Sequence, residues 1–223
     1  MSLVDAVHFR RSEHSWTEAD SAAGFMLRYL LPVRRQLMAL LGGESEADQA
    51  LIVLIAHLVQ AGFGNHNRGR LRDFLLRGVR SAARARRVDR AKASGSQTLP
   101  QQTDIDALTF DSPQWVGFWR DDLLQRTWRS LERFQHAEPG QPLYSLLKVA
   151  TANPKEAPAV LTVRLLEEEG LTISEAKLVD LLPVARREFA QRLSDEIAET
   201  LQEPDAKAIK EEIKAVGLQS VFA

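Results

Sequence analysis

The sequence predicts an all-α fold. Apolar residues recur at helical three- and four-residue spacing, the helical segments are punctuated by glycine and proline, and no stretch shows the strict alternation of a strand. A length of 223 residues, 44% of them hydrophobic, is enough for one large or two small cores.

The first helical segment is residues 16–42. Ser15 or Thr17 can cap it, and Glu18 and Asp20 suit the positive end of its dipole. Its apolar face is Phe25, Leu27, Tyr29, Leu30, Val33, Leu37, Leu40 and Leu41, and Pro32 is expected to kink or split it before Gly42-Gly43 ends it. The second runs from about Ser45 to Gly62. It is apolar nearly all round from Leu51 to Val59, which places it in the middle of a helical core with His57 as a core histidine. A turn over 63–69 leads to a third helix from about Arg70 to Lys92. Leu71, Phe74, Leu75, Val79 and Ala82 line one side of it. Arg70, Arg77 and Arg84 recur every seven residues, with Arg80 and Arg87 on an adjacent stripe.

Residues 93–113 are polar, carry two prolines and show no sustained period, so they read as a linker or loose loop. The division expected is therefore a helical domain over 16–92 and a second over 114–223. The second opens with Trp115, Phe118, Trp119, Leu123, Leu124, Trp128, Leu131 and Phe134 on one long helix. A short helix over 143–153 stops at Pro154. Helix 157–170, a glycine turn and a longer helix capped by Ser174 follow, the last bent at Pro183. The final helix runs from about Asp205 to Val216.

Charge is uneven along the chain. Net charge is −1, yet Arg68 to Lys92 carries ten cations against Asp73 and Asp89, and Glu167 to Ala223 carries thirteen acids against seven cations. A basic helix beside an acidic tail suggests phosphate contact in one half. The opposing reading is a solvated face with scattered ion pairs. Glu167-Glu168-Glu169 reads as a solvated run.

The chemistry excluded is broad. There is no cysteine, which removes disulfides, thiolate nucleophiles and Cys-based zinc sites and fits a reducing cytoplasm. No GxSxG, Walker loop, GxGxxG or HExxH occurs, and the five histidines are scattered, so no catalytic residue, metal or cofactor is expected. The N-terminus lacks the apolar core of a secretory signal. The longest apolar stretch, Ala50 to Ala56, is too short to span a bilayer, so no membrane role is expected.

Four stretches together resemble one family: FMLRYLLPVRRQLMALLGG, NRGRLRDFLLRGVRSAARARRVDR, FWRDDLLQRTWRSLERFQ, and the ending that begins ARREFAQRLSDEIAETL. In this order and at these separations they resemble bacterial RNA polymerase sigma factors of the extracytoplasmic-function type, most of all the subgroup found near serine/threonine kinase genes. The resemblance covers about residues 20–223. It implies a sigma region-two-like helical bundle, then a region-four-like helix-turn-helix domain. It also implies a cytoplasmic protein that recruits RNA polymerase core and recognises promoter DNA, with an anti-sigma or kinase-linked regulator as a further partner. Carried over by position, Arg68, Arg70, Arg72, Arg77, Arg80, Arg84 and Arg87 would face the −10 promoter element. Ser174 to Arg187, with Lys177, Arg186 and Arg187 as contacts, would form the recognition helix. Asp48, Gln49, Ile52 and Val53 would meet the polymerase.

The chain also departs from the family. Where the family's core-binding helix has Asp-Glu-Leu-x-Gln-Glu, this chain has Asp48, Gln49, Ala50, Leu51, Ile52 and Val53. Where its recognition helix has an Arg and then His-Arg-Ala-Arg, this chain has Val179 and then Pro183, Val184, Ala185 and Arg186. Ser174 to Pro183 holds one Lys against Glu175 and Asp180, a surface that phosphates repel. The alternative expectation is therefore a sigma-like paralogue that acts as a protein-interaction or regulatory module without binding DNA.

Overall fold

The structure is a computed structural model and describes residues 16, 22–61, 69–95 and 103–222. Among these the regular structure is helical, with one isolated antiparallel bridge between Arg70 and Leu201. The described chain forms two compact units. One takes the chain up to Asp122 together with Ile197–Leu218, and the other takes Leu123–Glu196 together with the last residues from Gln219.

The first unit begins with α1 (Ala22–Leu27) and α2 (Leu30–Leu41). The single helix expected over 16–42 is thus divided at Arg28–Tyr29, before Pro32 rather than at it. Pro32 falls in the first turn of α2, where its missing N–H has no intrahelical partner to lose. In an unbroken helix its ring would meet the Arg28 carbonyl. Gly42 closes α2 in the left-handed region at φ 76°, donating its N–H to the Met38 carbonyl at 2.9 Å.

Helix α3 (Glu44–Ala61) buries a regular stripe of Ala47, Ala50, Leu51, Leu54 and Leu58. Helix α4 (Leu71–Ala93) buries Leu71, Leu75, Leu76, Val79, Ala82 and Ala83. These two helices and α2 pack on one another. Tyr29 stacks on Trp119 at 5.3 Å between ring centroids, and Trp119 lies 6.0 Å from Trp115, so the start of α6 (Pro113–Ala137) closes this core.

Two further pieces belong to the same unit. A short helix, α5 (Thr103–Ala107), lies in the segment expected to be a loose linker, and its Ile105 is fully buried. Helix α10 (Ala206–Ala215) buries Ile209, Glu212 and Ile213, and the Asp205 carboxylate caps it by accepting from the Ala208 N–H at 2.7 Å. The strand-like bridge that leads into α10 is made by Leu71 N–H to the Thr200 carbonyl (2.9 Å) and Gln202 N–H to the Gly69 carbonyl (3.2 Å). The expected domains, 16–92 and 114–223, divide the chain differently from these units, because α10 packs with the residues around α4.

The second unit takes α6 from Leu123, α7 (Leu143–Ala152), α8 (Pro158–Glu169) and α9 (Glu175–Glu199) as far as Glu196. Leu146, Val149, Leu161, Leu165 and Leu178 form its buried cluster, which joins α7, α8 and the first turn of α9. Trp128 packs on Phe189 at 4.7 Å and meets Tyr144 edge-on at 5.9 Å. Gly170 ends α8 at φ 65°, donating to the Leu166 carbonyl, and the next N–H, from Leu171, reaches back to Leu165. Ser174 Oγ then accepts from the Lys177 N–H at 3.3 Å. The helix, glycine turn and helix expected over 157–199 are present. α9 continues through Pro183, which is exposed.

Glu169 is not part of a solvated run. Its carboxylate accepts from Lys148 Nζ at 2.7 Å and from Ser145 Oγ at 3.0 Å, and Gln135 bonds Ser145 in turn. The Lys148 hydrogen bond, seconded by Ser145 and outweighing partial burial, holds the Glu169 carboxyl below its usual range. A carboxylate with a lowered folded-state pKa stabilises above its unfolded value and loses that contribution as pH falls through the folded value. Glu169→Gln is therefore expected to flatten the acid limb, with Tm falling less than in the wild type between about pH 5 and pH 3. An equal fall in both proteins would show that this carboxylate adds nothing.

Candidate functional site

The cations of α4 were the strongest signal in the sequence, and the structure divides them. Arg68 lies outside the described residues. Arg72 faces the core and is fully buried. Its Nε donates to Glu212 Oε1 at 2.6 Å and its Nη1 to the Phe110 carbonyl at 2.6 Å. The expectation that Arg72 faces a promoter is corrected: it is an interior residue holding α10 to α4. The reason is register. Residues 72, 76, 79 and 83 share one face of α4, and Leu76, Val79 and Ala83 are all buried there. Arg70 also turns inward, with Nε 2.9 Å from Asp73 Oδ2 and Nη1 3.3 Å from Glu212 Oε2.

Further along, the stripe meets residues 103–111. Arg84 Nη2 donates to Asp106 Oδ1 at 2.5 Å. Arg87 donates to both oxygens of Asp104, at 2.6 and 2.5 Å, and to the Leu40 carbonyl at 2.6 Å. The hydrogen bond from Arg87 holds the Asp104 carboxyl below its usual range. The Arg77 guanidinium lies over the Phe110 ring, 5.9 Å from its centroid. Arg80 Nε is shut off from solvent with no hydrogen-bond partner among the described residues. Arg86, beside the stripe, is held by both oxygens of Glu46 at 2.8 and 3.1 Å.

The proposed polymerase contacts also separate. Asp48 is tied to Arg34 through two hydrogen bonds, at 2.6 and 3.1 Å, and the Arg34 bond holds its carboxyl below the usual range. Gln49, Ile52 and Val53 are exposed together on the outward side of α3, Ile52 at 66% and Val53 at 60%. About two turns on from Ile52, Val59 is 66% exposed. Two expectations are corrected here. α3 is not enclosed on all sides, and His57 is exposed rather than a core histidine. A shallow groove of about 270 Å³ runs between this face and α4, bounded by Gln49, Ile52, Val53, Ala82, Arg86 and Asp89.

On α9, Ser174 caps the helix, and Lys177, Arg186 and Arg187 are exposed with Glu175 and Asp180. Three cations against two carboxylates make a nearly neutral face, interrupted by exposed Val179 and Pro183.

Sequence reasoning missed Asp104, Asp106, Phe110 and Glu212, the residues that occupy the arginines. The signals were present. Asp104 and Asp106 flank a lone apolar Ile105, and Glu212 interrupts the apolar spacing of Ile209, Ile213 and Val216. Among the described residues, no helix is long and apolar enough to cross a membrane, and no three His, Asp or Glu side chains converge as a metal site. No family model matches the chain, and neither a curated protein nor a solved structure matches it.

Proposed function

We propose that this chain is a sigma-factor-type protein that works by protein contact, docking RNA polymerase core through the outward face of α3. On this reading α4 is not its promoter-binding surface, and the chain acts by binding rather than by catalysis. One observation carries the reading. Gln49, Ile52 and Val53 stand exposed on one helix face, while Arg70, Arg72, Arg84 and Arg87 are spent on carboxylates of the same chain. Exposed apolar side chains grouped on one face mark an interaction surface better than they mark a solvated helix. A guanidinium already neutralised releases fewer counterions on meeting phosphate, so the affinity term for DNA shrinks. The resemblance in the four sequence stretches supplies the partner, and with it a cytoplasmic location. An anti-sigma or kinase-linked regulator would compete for the same face.

Promoter reading through α9 is the second reading, favoured by the exposure of Lys177, Arg186 and Arg187. A pull-down separates the two. The immobilised full chain is expected to retain core polymerase without DNA, and to retain no promoter duplex by itself at about 150 mM salt. Capture of duplex by the chain alone, with affinity falling steeply as salt rises, would restore the promoter reader. Failure to retain core polymerase would remove the docking reading.

A further inference from the structure

We propose that residues 103–111 form an autoinhibitory acidic strap that sits on α4 in place of a nucleic-acid backbone. This goes beyond docking through α3 and stands on a different face of the unit. Asp104 and Asp106, two residues apart, reach Arg87 and Arg84, which lie one turn apart on α4. Between them Ile105 is fully buried and fixes the strap in place. Further along, the Phe110 ring covers the Arg77 guanidinium. Carboxylates on successive arginines, followed by an aromatic ring on a third, reproduce what a single strand offers a protein: spaced anions and a stacking face.

The contact is also suited to release. The Asp106 and Asp104 side chains are 61% and 53% exposed, so each ion pair is solvent-screened and individually weak. A polyanion presents many phosphates at once and competes by counterion release, which the two aspartates cannot match. The strap therefore raises the threshold for nucleic acid without destroying the site.

The test uses the full chain and two labelled probes, a 20-nucleotide single strand and a 20-base-pair duplex, read by fluorescence anisotropy at low salt. Asp104→Asn with Asp106→Asn is expected to bind the single strand about 10-fold more tightly than the wild type, with a steeper log-affinity against log-salt slope. Adding Arg84→Ala and Arg87→Ala should abolish the gain. No gain in the Asn variant overturns the proposal, and so does a gain that survives the loss of both arginines. A second measurement needs no variant. In the wild type, amide hydrogen exchange across 103–111 should speed up when excess single strand is added, and unchanged exchange also overturns the strap. Both readouts concern DNA alone, so their failure is distinguishable from a failure to bind polymerase.

Discussion

Glu212→Ala is expected to destabilise the fold by about 3–5 kcal/mol, read as a fall in the urea midpoint at unchanged slope. Arg72 and Glu212 are 0% and 2% exposed, and they form the charged centre of the contact between α4 and α10. Removing the glutamate leaves a buried guanidinium with the Phe110 carbonyl and two longer contacts at 3.7 Å, to Asp73 and to Asp111. A buried charge that loses its one close carboxylate and keeps only longer ion pairs is a costly defect in a protein interior. The pair as a whole is a different matter. Arg72→Met combined with Glu212→Leu gives up the attraction and the desolvation cost together, and is expected to recover most of the loss. The asymmetry between single and double variants is the signature of a buried ion pair. A cost below about 1 kcal/mol for Glu212→Ala would show that the pair does not hold the two helices together.

How far the fold could be read in advance depended on how many side chains stated the same thing. Trp115, Trp119 and Leu123 share one face of α6 at i, i+4 spacing, and all three are buried. Gly42 and Gly170 end their helices with positive φ at the places their sequence context marks. Segment 93–113 was illegible as structure because, among its described residues, the buried apolar anchors are only Ile105 and Leu108. Two apolar residues do not set up a period, and a short helix with one buried side chain of its own looks like polar linker. The fate of the arginines was hidden for a related reason. Composition counts a cation but does not say which carboxylate it will meet, and Glu212 is 140 residues from Arg72. The hint lay in register, since each charge interrupts an apolar stripe of its own helix. α3 shows the reverse limit. A helix apolar nearly all round does not reveal which side will be covered, and here Leu51, Leu54 and Leu58 are buried while Ile52, Val53 and Val59 are not.

That uncovered side carries the other large effect. Ile52→Asp with Val53→Asp is expected to weaken capture of core polymerase at least 100-fold while leaving the protein as stable as before. The stability half follows from position. Both side chains are about two-thirds exposed, neither holds the core, and exposed substitutions of this kind shift stability by roughly ±0.5 kcal/mol. The binding half follows from what a partner must do to use the face. Covering an aliphatic side chain is worth about 1.5–3 kcal/mol, and a carboxylate in its place must be desolvated without a partner. Two such changes exceed the 2.8 kcal/mol or so that a 100-fold loss represents. Ile52→Gln with Val53→Glu, which restores the residue types the resemblance implies, should fold equally well and also weaken capture if the contact is apolar. Stronger capture by that variant would mean the partner still reads the family's polar contacts, and the apolar face of α3 would then have no part in docking.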